Sequence, residues 1–117
     1  MTFALSILPL ITLASISLGV VGSAAHQATT GWTYPPACCK ARHVGGDCEA
    51  IPTPDVTRGG QGFSVRLRAG DHHLATRPHL FWIPYGDEIP SGDGQYHLCL
   101  HPTEHHVNCF FAPPDSS

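Results

Sequence analysis

The five cysteines constrain the fold of this chain more than any other feature of its sequence. They are Cys38, Cys39, Cys48, Cys99 and Cys109, in a chain of 117 residues. A domain of this size buries little apolar surface, so its core is marginal without extra cross-links. Disulfides supply such cross-links in exported proteins. The sequence therefore predicts a small fold held together by disulfides in an oxidising compartment.

An apolar leader supports export. The segment from Phe3 to Val21 carries only scattered Ser and Thr as polar residues, and the Ser-Ala-Ala at 23–25 suits signal peptidase. We expect residues 1–25 to be a signal peptide that sends the protein to the periplasm or out of the cell. The alternative is an uncleaved membrane anchor, against which Pro9 and the lack of flanking Lys or Arg both count.

Cleavage after Ala25 would leave one small domain at residues 26–112 and a tail at residues 113–117 that we expect to be disordered. The formal charge of −3 and the six scattered Lys and Arg residues form no basic patch for nucleic acid. The chain beyond the leader contains no second apolar run, so we predict no membrane contact after cleavage. The sequence does not identify a partner, and a periplasmic protein is the candidate.

The periodicity beyond the leader is mainly that of β-strands. Phe63, Val65 and Leu67 alternate with polar residues, as in a half-buried strand. Further strands are predicted at residues 80–83, 95–101 and 107–112. A short helix is expected from about Pro36 to Ala41, because proline suits a first helical turn. The predicted fold class is mainly β, a small antiparallel sheet or sandwich with one short N-terminal helix.

The stretch "GDGQYHLCLHPTEHHVNC" holds four histidines and two cysteines, which fits either a metal site or a cross-linked hairpin. A hairpin that turns in "PTEH" places Cys99 opposite Cys109. In the same register His101 stands opposite Val107. Opposed cysteines lie within disulfide range, and a reduced pair is unusual after export. We therefore predict a Cys99–Cys109 disulfide.

The pairing of the other three cysteines is not fixed by the sequence. Cys38 and Cys39 are neighbours, and a ring that joins adjacent cysteines is strained, so one of them is expected to bond Cys48. We favour Cys39–Cys48, which leaves Cys38 as a free thiol. That thiol has three interpretations: a buried inert side chain, an intermolecular bridge, or a reactive or metal-binding group.

Nine histidines are a high number for this length, and imidazole is a good ligand for Cu and Zn. The candidate metal ligands are His26, His101, His105 and His106. The alternative is that they are solvated residues of polar turns. Cleavage after Ala25 would make His26 the first residue, and its amine and ring nitrogen could then bind copper together as a bidentate ligand. Cuts after residues 23 or 24 would create other N-termini.

The motifs "GWTYPPACC", "DC", "DGQYHLC" and "CFFAPP", in this order, resemble a family of short exported proteobacterial proteins of uncharacterised function. The resemblance covers most of the chain beyond the leader. It implies a bacterial, periplasmic setting. It implies no activity and no catalytic residue.

Three functional hypotheses follow. The first is an exported structural or interaction module stabilised by disulfides. The second is a Cu or Zn binding protein that uses its histidine-rich turns or an N-terminal histidine. The third, a thiol oxidoreductase or a Cys-dependent hydrolase, needs an accessible thiol. We expect no enzymatic activity, because the sequence contains no HExxH, no GxSxG and no cysteine signature with a placed histidine.

Overall fold

The computed structural model describes residues 27–40 and 44–114. The predicted signal peptide, its cleavage sites and His26 lie outside the described residues. Among the residues that are described, no helix has the length and apolar character needed to cross a bilayer.

The described chain is mainly β, as predicted. Its strands are β1 (Cys48–Ala50), β2 (Val56–Arg58), β3 (Gly62–Leu67), β4 (His79–Pro84), β5 (Ile89–Pro90), β6 (His97–Leu100) and β7 (Val107–Ala112). They form a four-stranded sheet in the order β1-β6-β7-β5 and a three-stranded sheet in the order β2-β3-β4. Neighbouring strands are antiparallel, except that β5 runs parallel to β7. The sequence did not predict β1, β2 or β5, because two or three residues are too few to show an alternating pattern.

The main core lies between the two sheets. Phe63, Val65 and Leu67 of β3 are fully buried, as their alternation predicts. They pack with Tyr96, which precedes β6, and with the buried side chains of the other sheet, which are Leu98, Leu100, Phe110 and Ala112. Fully burying one such apolar side chain stabilises the fold by about 1.5 to 3 kcal/mol. The two sheets therefore depend on each other for their stability.

A second cluster covers the opposite face of the four-stranded sheet. The segment of residues 27–40 lies there, and its buried Ala28, Tyr34 and Cys38 pack with Cys99 and Phe111. All four residues of β6 are consequently buried, with no exposed surface on any of them. The sequence predicted one buried face of this strand, whereas the structure buries both.

The predicted disulfides are wrong. The structure joins Cys38 to Cys109 and Cys48 to Cys99, and it leaves Cys39 rather than Cys38 outside the disulfides. The predicted register is correct at Cys99, which does stand opposite Cys109. A bulge after Cys99 then shifts the pairing, so that Leu100 rather than His101 faces Val107.

The reason for the different pairing is the strand on the other side of β6. Cys99 also stands opposite Cys48 of β1. The N–H of Leu100 donates to the carbonyl of Asp47, which makes Cys48 and Cys99 a non-hydrogen-bonded pair. Side chains are closer in such pairs, and these two Cα atoms are 4.0 Å apart. Cys99 therefore bonds Cys48, and Cys109 bonds Cys38 above the sheet.

Two smaller features bear on the predicted ends of the domain. One 3₁₀ turn, Pro36–Cys38, stands where the short helix was expected, and residue 41 lies outside the described ranges. The predicted tail begins at Pro113, but the carbonyl of that residue accepts a hydrogen bond from Arg58 Nη2 at 2.7 Å. The described chain is therefore held to the core as far as Pro113.

Two carboxyl groups meet beside β3. Asp55 is buried at the end of a 3₁₀ turn, Thr53–Asp55, and Asp71 lies in the turn after β3. Burial, together with the neighbouring Asp71, raises the pKa of Asp55 from 3.8 to about 6. The hydrogen bond from Asp55 lowers the pKa of Asp71, whose Oδ2 also accepts from the N–H of Arg68 at 3.0 Å. The pair therefore holds one proton between two carboxyl groups in mildly acidic solution.

This pair predicts a pH-dependent stability. Because the folded pKa of Asp55 is raised, its protonated form favours folding below about pH 4, and this contribution is lost as the pH rises through 6. Asp55→Asn keeps a donor toward Asp71 at every pH. We expect the variant to be more stable than the natural protein at pH 8, by about 1 to 2 kcal/mol, and nearly equal to it at pH 4.5. Thermal unfolding followed by circular dichroism from pH 4.5 to 8 measures the difference.

Asp87→Asn is the matched control, because Asp87 is exposed and the substitution removes the same charge. Its effect on the unfolding temperature should be small throughout this range. A difference between Asp55→Asn and the natural protein that does not change with pH would contradict the shared proton.

Candidate functional site

A buried chain of hydrogen bonds joins the segment of residues 27–40, here called the covering segment, to the four-stranded sheet. The Tyr34 hydroxyl lies 2.7 Å from His97 Nδ1, and His97 Nε2 lies 2.7 Å from Asp93 Oδ1. The hydroxyls of Thr30 and Ser91 also donate to the Asp93 carboxylate. A carboxylate only accepts, so Nε2 of His97 carries a hydrogen, and Nδ1 shares a hydrogen bond with the Tyr34 hydroxyl.

The two ends of this chain have shifted pKa values. Burial by itself raises the pKa of Asp93, but the hydrogen bonds from His97, Thr30, the Gln95 N–H and Ser91 outweigh it and hold this pKa far below its usual range. Burial, and then the charge of Asp93, raise the pKa of the Tyr34 hydroxyl above its usual value. Tyr34 therefore keeps its proton.

The order carboxylate, imidazole, hydroxyl resembles that of a catalytic triad, but the chemistry here is different. Tyr34 is 1% exposed and stays protonated, so it is a poor nucleophile at neutral pH. Trp32 covers the chain, with its ring 5.0 Å from that of His97, and it packs on Gly92, where a Cβ atom would collide with the indole. The arrangement fastens the covering segment to β6.

An open cavity of about 380 Å³ lies between the covering segment and β1. Its lining includes Gln27, Tyr34 and Cys48, and Glu49 and His73 stand beside each other in its wall. The distance from His73 Nδ1 to Glu49 Oε2 is 2.6 Å, and His73 Nε2 lies 2.7 Å from the Gly46 carbonyl. Both side chains are partly exposed, so solutes can reach this pair.

Glu49, His72 and His73 form a candidate metal centre, since one ligand atom of each lies within 4.8 Å of the others. His72 is fully buried, and its Nε2 faces the carbonyls of Asp47 and Leu98 while its Nδ1 accepts from the Leu74 N–H. Burial lowers the pKa of His72. Because both nitrogens of His72 are already used, a metal would be held chiefly by His73 and Glu49.

The predicted metal ligands lie elsewhere. His101 Nδ1 is 3.9 Å from Asp47 Oδ2, and the ring of His105 packs edge-on against that of His79 at 5.0 Å. His106 is exposed. Within residues 27–40 and 44–114, the groups with metal-binding distances contain none of these three histidines.

The second such group is made of sulfurs. The Sγ atoms of Cys38, Cys99 and Cys109 lie within 4.8 Å of one another. All three belong to disulfides, so they are not metal ligands in this state. The two disulfides are therefore in contact distance, stacked beneath the covering segment.

Comparisons with protein-family models, with curated proteins and with solved structures each find no match for this chain. The predicted resemblance to an exported proteobacterial family stays a prediction.

The Tyr34–His97–Asp93 chain was not predicted from the sequence. A signal was available, because Asp93 and His97 are four residues apart at a strand entrance. Tyr34 is 63 residues from His97, and no local pattern connects them.

The hydrogen-bond chain predicts the effect of Tyr34→Phe. The substitution removes the hydroxyl that bonds His97 Nδ1 and leaves this buried nitrogen unsatisfied, so we expect a loss of about 1 to 3 kcal/mol in the free energy of unfolding. Urea unfolding followed by fluorescence measures it. Tyr85→Phe is the control, because Tyr85 is 44% exposed and its hydroxyl contacts only the surface carbonyl of Gly59. Equal losses in the two variants would argue against a special role for the buried chain.

Proposed function

We propose that this protein is an exported interaction module of the periplasm, whose disulfide-stabilised β domain presents β4 to a protein partner. Two disulfides in so small a domain fit an oxidising compartment. The observation that carries the proposal is the apolar surface of β4. Leu80 is 70% exposed and Trp82 is 54% exposed, whereas Phe63, Val65 and Leu67 of the neighbouring strand β3 are fully buried.

The edge of β4 supports the same role. β4 pairs with β3 on one side and belongs to no strand pairing on its other side within the described ranges. The Tyr85 N–H donates to the Gln61 carbonyl. Because the backbone groups of successive residues in a strand point alternately to its two sides, the N–H and C=O groups of Leu80 and Trp82 point away from β3. An extended segment of a partner can pair with these groups, while Leu80 and Trp82 supply apolar contact.

Prolines limit this edge at both ends. Pro78 and Pro84 occupy the next positions that face outward, and proline has no N–H to donate. Prolines at exposed edges discourage uncontrolled pairing with other chains. The edge therefore favours a short, defined contact over aggregation.

A photo-crosslinking residue placed at position 80 tests the proposal in the full chain, expressed in a bacterium that exports it. We expect a light-dependent adduct with one partner, and Trp82→Ser should weaken binding by more than tenfold, since buried tryptophans often dominate interfaces. Circular dichroism should show that Trp82→Ser is folded, because this side chain is exposed.

Val44 is the control position, since it is 98% exposed and does not belong to β4. A crosslinker at position 44 should give no adduct with that partner. Equal adducts at positions 44 and 80, or none at position 80 on a protein that stays monomeric, would overturn the role of β4.

A second candidate function is binding of Cu or Zn at the Glu49–His73 pair. A divalent ion would replace the hydrogen between His73 Nδ1 and Glu49 Oε2, and both are suitable ligands. Cleavage after Ala25 would make His26 the first residue, and its neighbour Gln27 lines the same cavity as the pair. The amine and ring of His26 are therefore candidates to complete the site.

Calorimetric titration of the mature protein with Cu(II) or Zn(II) tests this function. We expect one submicromolar site per chain, and His73→Ala should weaken binding at least tenfold. His106→Ala is the control, because His106 is exposed and distant in sequence from the pair. Weak binding at several sites, with an affinity that His73→Ala leaves unchanged, would exclude the site. A larger loss of metal affinity in His105→Ala or His106→Ala would favour the ligands predicted from the sequence.

A further inference from the structure

The two disulfides form a continuous row of sulfurs. Cys48, Cys99 and Cys109 stand opposite one another on the adjacent strands β1, β6 and β7. Cys99 is therefore flanked by a cysteine on each side, and it bonds Cys48. Both sulfurs of the other disulfide, Cys38–Cys109, lie within 4.8 Å of the Cys99 sulfur. A thiolate needs to move little from this distance to attack its neighbour.

Access to the row is unequal. Cys38, Cys48 and Cys99 are each 1% exposed or less, whereas Cys109 is only half-buried. Cys109 also lines an open cavity of about 240 Å³, together with Trp82, Val107 and Phe110. Cys48 lines the cavity of about 380 Å³ beside β1 but is only 1% exposed, so a reductant from solution reaches the Cys38–Cys109 disulfide first, at Cys109.

We infer that the two disulfides act as one redox unit, in which reduction of Cys38–Cys109 by a dithiol is passed to Cys48–Cys99 by internal exchange. This inference does not depend on the proposed interaction with a partner. Its product is a form that contains a Cys99–Cys109 disulfide and thiols at Cys38 and Cys48.

A thiolate of the external dithiol attacks the Cys109 sulfur and releases Cys38, and the second thiol of the dithiol then releases Cys109 and becomes part of the oxidised reductant. The dithiol loses two electrons, and the Cys38–Cys109 bond is replaced by two thiols. The Cys109 thiolate next attacks the Cys99 sulfur, which forms Cys99–Cys109 and releases the Cys48 thiolate, with no further change in electrons. The released thiolates take protons from water.

The β-ladder permits this product, although Cys99 and Cys109 form a hydrogen-bonded pair, whose side chains are farther apart than those of Cys48 and Cys99. Cys99 and Cys109 already stand in register across β6 and β7, so the new disulfide joins two strands without a change in their pairing. The cost falls on the outer parts of the sheet, because Cys38 and Cys48 lose their covalent attachment. Reduction would thereby loosen the covering segment of residues 27–40 and β1 while β6 and β7 stay joined.

Limited reduction with dithiothreitol, trapping with N-ethylmaleimide and mass spectrometric mapping without further reduction test the inference. We expect the two-thiol species to carry labels on Cys38 and Cys48 and to contain a Cys99–Cys109 linked peptide, which the untreated protein lacks. A two-thiol species labelled at Cys38 and Cys109, with Cys48–Cys99 intact, would overturn it.

Two variants keep the test decisive. Cys38→Ser leaves Cys109 as a permanent thiol beside Cys99, so the oxidised variant should be a mixture of molecules with a Cys48–Cys99 bond and molecules with a Cys99–Cys109 bond. Finding only the Cys48–Cys99 species would refute the exchange even if no two-thiol species accumulates. Cys39→Ser should leave the products of limited reduction unchanged. Loss of the Cys99–Cys109 product in Cys39→Ser would instead make Cys39 the attacking thiol and reject the proposed route.

Discussion

The burial of β6 on both faces is the constraint on which the rest of the structure depends. One face packs in the core between the sheets, and the other needs residues 27–40 to cover it. That segment has almost no regular structure of its own, so its attachment must come from specific contacts. The Cys38–Cys109 disulfide fastens one end, and the bond from Tyr34 to His97 fastens the middle. His97 can be buried because Asp93 and Tyr34 satisfy both ring nitrogens.

Much of the β framework could be predicted from the sequence, because its longer strands carry clear local signals. The alternation of Phe63, Val65 and Leu67 identified β3, an apolar run closed by a proline located β4, and the turn in "PTEH" located β6 and β7. The cysteine pairing could not be predicted, although the register of Cys99 with Cys109 was correct. The missing piece was β1, whose three residues give no periodic signal. Because β1 was not predicted, the sequence did not indicate Cys48 as the closer partner of Cys99.

The candidate sites follow the same division. Histidine abundance led to His101, His105 and His106, all near one turn, whereas the pair with metal-binding geometry joins His73 to Glu49 across 24 residues. The chain of Tyr34, His97 and Asp93 likewise depends on contacts between distant segments. The composition therefore indicated which metal ligands and hydrogen-bonding groups the chain contains, but only the tertiary fold determines which of these side chains lie close together.

The nested order of the disulfides has a mechanical consequence. Cys38 and Cys109 lie 71 residues apart, and the Cys48–Cys99 disulfide falls entirely inside that span. A force that pulls on the two ends of the chain passes directly across the Cys38–Cys109 bond, so strands β1 to β6 are outside the load path. Tension on the chain would therefore not reach these strands, and cutting that single bond would transfer the load to β6 and β7.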